Sequence, residues 1–62
     1  MTNYEQKLFE LENANAEIDT FEGADDCLVI QEFINAYVFN EFIYTAQGEF
    51  IEKHIIQAYP QP

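Results

Sequence analysis

The chain has 62 residues, with 12 Asp and Glu against two Lys, no Arg and a net charge of −10. A field of that sign repels phosphates and anionic headgroups, so direct nucleic-acid binding and membrane-surface binding are disfavoured. One cysteine (Cys27), one histidine (His54) and no serine leave no internal disulfide, no paired metal-ligand spacing and no serine nucleophile.

The first predicted element is a helix over about 3–17. Thr2 followed by Glu5 fits a capping box, in which each side chain satisfies a free backbone N–H of the other residue. Tyr4, Leu8, Leu11, Asn15 and Ile18 recur at spacings of four, three, four and three, which puts them in one stripe. Glu5, Glu10, Glu12 and Glu17 lie off it. Asn15 either sets register at a heptad a position or faces water where the helix frays. DTFEGADD (19–26) is then a break: Gly23 permits a turn, and its acidic residues suit the start of a second helix. It does not match a calcium loop. With Gly23 on the glycine position, Ile18 falls on the first ligand and Val29 on the required Glu.

CLVIQEFINAYVFNEFIYTA (27–46) is the most apolar stretch. Its β-branched and aromatic residues favour a strand, but strands rarely exceed ten residues and no turn punctuation is evident. The expectation is a long central helix over about 25–46. Its apolar face, holding Val29, Ile30, Phe33, Ile34, Tyr37, Ile43 and Tyr44, exceeds the roughly 100° stripe that a surface helix needs. Glu41 falls inside that face and needs a cation (Lys7, Lys53 or His54) or an exit to water. Gln31, Glu32, Asn35, Asn40 and Glu41 rule out a membrane span. Gln47-Gly48 is the next break, and a short helix over about 49–58 ends before Pro60 and Pro62. The alternative for this last part is a β-hairpin of FIYTA and EFIEKHII turning at Gln47-Gly48.

Together these readings predict an all-α fold: a single small helical domain (1–62) of two or three helices around a long central one, completed by homodimerisation. A chain this short buries little surface alone, and a second subunit is the staple left open to it. The expected dimer interface is Leu8, Leu11, Ile30, Phe33, Ile34, Tyr37 and Tyr44. Phe39, Phe42, Glu32, Asp25 and Asp26 are the expected partner-binding residues. No catalytic residue, cofactor or metal is expected. Cys27 and His54 are each alone, and the two glycines form no phosphate cradle.

Helix-rich MTNYEQKLFELENANAEI followed by CLVIQEFINAYVFNEFIYTA resembles the small acidic accessory proteins of the non-essential early region of lambdoid bacteriophages. That resemblance implies a cytoplasmic, non-enzymatic protein that modulates host processes during lytic development through protein contacts, in the host cell cytoplasm if phage-encoded. The partner expected from the charge is a host protein with a basic surface. Separately, LVIQE (28–32) is similar to a segment of the phage uracil-DNA glycosylase inhibitor, an acidic DNA mimic, although here it falls within the expected central helix. The second functional reading is accordingly a nucleic-acid mimic using Glu5, Glu10, Glu12, Glu17, Asp19, Glu22, Asp25 and Asp26.

Overall fold

The capping box forms as its spacing predicts. In the computed structural model, which describes residues 1–58, the Thr2 Oγ1 accepts from the Glu5 N–H at 3.1 Å and the Glu5 carboxylate accepts from the Thr2 N–H at 2.9 Å. It opens helix α1, Asn3–Asn13. The helix stops four residues short of the expected end because the chain turns left-handed at Asn15 (φ 55°). The Asn15 N–H donates to the Glu12 carbonyl and the Ala16 N–H to the Leu11 carbonyl, the paired bonds of a Schellman ending. Asn tolerates this conformation better than other residues with a Cβ. Asn15 is thus a helix stop and not a heptad a position, and Ile18 of the expected stripe lies in a strand.

Everything after α1 is sheet, and the all-α expectation is wrong. Strands β1 (Glu17–Glu22), β2 (Leu28–Phe33), β3 (Val38–Tyr44) and β4 (Phe50–Gln57) form one antiparallel sheet in the order β1-β2-β3-β4. The expected central helix over 25–46 is the β2–β3 hairpin, and the expected helix over 49–58 is β4. LVIQE is strand as well. Two signals decided this. The β-branched and aromatic content prevailed over helical periodicity, as it does where side chains can pack on a pleated surface. The missing turn punctuation was also present, in Ile34-Asn35-Ala36-Tyr37. The Asn35 Oδ1 accepts from the Tyr37 N–H at 2.8 Å and the Val38 N–H at 3.1 Å, so one side chain builds the turn.

The other two hairpins follow from local chemistry too. DTFEGADD caps no helix. Asp25 and Asp26 both adopt positive φ (57° and 60°), and the Cys27 N–H donates to the Ala24 carbonyl at 3.1 Å. That geometry is of the type I′ family, whose twist matches the strands it joins. The β3–β4 hairpin is the alternative read from the sequence, turning through Gln47-Gly48. Gly48 has φ 91°, and a Cβ there would lie 2.7 Å from both Cβ and Oγ1 of Thr2. The Gly48 carbonyl accepts from the Tyr4 N–H, and the Asn3 side chain accepts from the Phe50 N–H. Glycine here lets the β3–β4 turn touch the start of α1.

With a period of two, each strand divides between two faces. Three residues of the predicted helical stripe, Tyr4, Leu8 and Leu11, pack on Leu28, Ile30, Phe42 and Tyr44 of one sheet face, with Ala16 and Ile18 beside them. Ile30 and Tyr44 are fully buried. Tyr44 is held edge-on between the Tyr4 ring (5.5 Å between centroids) and the Phe50 ring (5.8 Å). This helix is the only layer on the sheet among the described residues, and the molecule measures 43 × 28 × 15 Å. Among the described residues, no element covers the opposite sheet face.

Candidate functional site

The strand registers define the uncovered face as three ladders running across the sheet. One end carries Phe21, Val29, Ile43 and Glu52; the middle carries Asp19, Gln31, Glu41 and His54; the far end carries Glu17, Phe33, Phe39 and Ile56. Two apolar bands therefore flank a polar one. In the far band the Phe33 and Phe39 rings lie 5.6 Å apart and shield each other in part. Ile34 and Tyr37 extend it onto the β2–β3 turn, with 56% and 46% of their surfaces exposed. At the other end Phe21 is 45% exposed, and Val29 is buried, in contact range of Gly23.

The lysines, not the carboxylates, are sorted between the two sides: Glu5, Glu10 and Glu12 of α1 and Glu22 and Glu32 of the sheet also lie on the helix side. The ladders of the open face contain Glu17, Asp19, Glu41 and Glu52, and no lysine. Both lysines of the chain are on the helix side, over the two flanks of the Phe42 ring, with Lys7 Nζ at 5.0 Å and Lys53 Nζ at 5.6 Å from its centroid. His54 is the only cationic candidate on the open face. Its Nε2 lies 3.2 Å from the Glu52 carboxylate, and across the ladder it stands opposite Glu41. Glu41, which helical projection put awkwardly inside an apolar face, lies instead in the polar middle ladder, half-buried and in register with His54, whose ring nitrogen contacts Glu52.

The expected interface residues separate into two groups. Leu11, Ile30 and Tyr44 are buried inside the protomer and Leu8 packs on them, so these four build a private core. Phe33 lies on the open face, with Ile34 and Tyr37 on the turn beside it. Of the expected partner-binding residues, Phe39 is on the open face. Phe42 is buried beneath the two lysines, Glu32 accepts from the Asn40 side chain at 3.1 Å on the helix side, and Asp25 and Asp26 form the β1–β2 turn. Phe21 and Ile56 are not among the expected interface residues, and Ile43 falls only on the broad apolar face of the expected helix. EIDTFE and FIEKHIIQ show no clean alternation of apolar and polar residues that would have singled the first two out.

On the helix side an open groove of about 460 Å³ runs between α1 and β4, lined by Asn3, Gln6, Lys7, Glu10, Tyr44 and Phe50. Burial, with Glu10 and Tyr4 adding to it, pushes the Tyr44 hydroxyl up to about 12, so it stays neutral at physiological pH. The Glu5 carboxyl is held below its usual value, chiefly by the Thr2 backbone N–H that donates to it. Neither group stands beside a nucleophile. No cluster of three metal-ligating side chains occurs among the described residues. No helix among them is long and apolar enough to cross a membrane.

The chain matches no family model, and neither a curated protein sequence nor a solved structure matches it.

Proposed function

We propose that the protein is a non-catalytic interaction module whose open sheet face docks a basic surface of another protein. The observation that carries this reading is the placement of the lysines: the open face sets four carboxylates between and beside apolar bands with no lysine among them, and both lysines stand on the other side. Apolar anchors supply affinity at such a surface, and carboxylates in excess over cations select a partner of opposite charge and speed its approach. A host protein contacted by a phage accessory factor fits this chemistry, in line with the family resemblance of the sequence.

The nucleic-acid-mimic reading has one observation in its favour. Glu17, Asp19 and Glu22 follow one another along edge strand β1, and Asp25 and Asp26 continue the series around the turn. Glu5, Glu10 and Glu12 belong to α1, so the acidic row of the sequence divides into two groups.

Affinity capture from host extract tests the choice, with each captured protein then titrated against variants. Asp19→Asn/Glu41→Gln on the open face weakens binding about tenfold and flattens its dependence on salt. Asp25→Asn/Asp26→Asn leaves it unchanged. The reverse pattern rejects the open face in favour of the β1 edge and its turn.

A further inference from the structure

A sheet of four strands in simple order has two free edges, β1 and β4, and they differ in kind. An exposed edge is a template for another strand, and charge is one of the usual ways of blocking it. β1 carries Glu17, Asp19 and Glu22 and no cation, so two copies meeting there repel. β4 is eight residues long and carries Glu52, Lys53 and His54, close to neutral on a chain of net charge −10. Ile51 and Ile55 on it are 47% and 61% exposed. Hydrogen bonding to β3 leaves a definite set of β4 groups unused. The Ala58 N–H donates to the Tyr37 carbonyl, and bonded pairs alternate along an antiparallel ladder, so His54 and Ile56 bond inward. The N–H and C=O of Lys53, Ile55 and Gln57 consequently point away from the sheet.

We propose that β4 is the edge through which two copies of this chain join, antiparallel, about a two-fold axis at Lys53. A two-fold axis normal to the sheet pairs residues of the same face, so only registers centred on one residue or offset by whole pleats are allowed. Centring on Lys53 sets Glu52 opposite His54 of the second copy, twice, and brings Ile55 to the bulged end of the partner strand, where Ile51 is the extra residue. Centring on His54 would put Glu52 against Ile56 and His54 against itself; centring on Glu52 would oppose two carboxylates. The one unfavourable pair in the chosen register is Lys53 with its copy. The side chain that would ordinarily block the edge is turned inward, its ammonium 5.6 Å from the centre of the Phe42 ring one strand away. The product is a continuous eight-stranded sheet with both helices on one side. Both acidic open faces lie together on the other, which makes the dimer bivalent toward a basic partner. The contact is small, of the class that associates weakly and reversibly.

The test uses the full chain in sedimentation equilibrium, together with cysteine cross-linking in a Cys27→Ala background. The wild type forms a dimer at micromolar concentration, and Ile55→Lys, at an exposed position, raises its dissociation constant about tenfold. Lys53→Cys gives a covalent dimer with a short thiol-reactive cross-linker, because the two copies of residue 53 face each other as a hydrogen-bonded pair at about 5.5 Å between Cα atoms. Gln57→Cys, on the same edge but far from the axis, does not. A wild type that stays monomeric overturns the proposal, as does equal cross-linking at 53 and 57. Assemblies that keep growing with concentration also overturn it, since they indicate β1 adding to β4 in an open chain.

Discussion

Residues at left-handed positions decide where α1, β1 and β3 end. Asn15 stops α1, Asp25 and Asp26 turn β1 into β2, and Gly48 turns β3 into β4 while touching the helix start. Gly48 is the least replaceable of them. Gly48→Ala strains the backbone and pushes Thr2 out of its cap, costing about 2–4 kcal/mol in urea unfolding. A loss below half a kcal/mol would show that the turn and α1 are not in contact. Tyr44 gives a second residue-level outcome with a definite sign. Its hydroxyl is raised from 10.0 to about 12 in the folded chain, so the unfolded chain releases this proton first. Stability is therefore intact below about pH 10 and falls by on the order of 1 kcal/mol, after solvent screening of the hydroxyl, as pH rises toward 12. Tyr44→Phe, measured by denaturation across that range, removes this part of the alkaline loss. A variant with an undiminished slope would assign the loss to other groups.

Elements differ in how plainly the sequence announces them. The helix start was legible because a capping box is a local device that later packing leaves alone. The stripe of Tyr4, Leu8 and Leu11 was legible because it faces the core as a helical period requires. The strands were harder to read. β2 and β3 are apolar on both faces, and such runs lose the polar alternation that distinguishes a strand from a buried helix. Asn35 held the deciding information, but its role depends on a side chain accepting from two backbone N–H groups, which spacing alone does not reveal. Asn35→Ala removes both bonds and costs about 1–2 kcal/mol, a shift of roughly 4–16 °C in melting temperature for a chain of this size. An unchanged melting temperature would mean that the strands, not the turn, hold this hairpin closed. The open face was legible only in part: the sequence singled out Phe33 and Phe39, but not the ladders that put them beside Ile56 and behind Asp19 and Glu41.

At the scale of the whole molecule, charge and thinness act together. A single helix over a four-stranded sheet gives a small core, and a net charge of −10 on so small a body opposes the compact state. Moderate salt therefore raises the melting temperature by screening this repulsion; a lowered one would show that native ion pairs outweigh it. The same charge makes the two sides of the sheet unlike, since the lysines cluster over Phe42 and the opposite face is left acidic and partly apolar. That asymmetry is the basis for reading the open face as the docking surface. The open face is tested by amide chemical-shift mapping of the isotopically labelled chain as a basic protein captured from cell extract is titrated in. Perturbations are expected to concentrate in Asp19, Gln31, Phe33, Phe39, Glu41 and His54 and to spare α1. Perturbations confined to α1 and its groove, or to Asp25 and Asp26 at the turn, would contradict it.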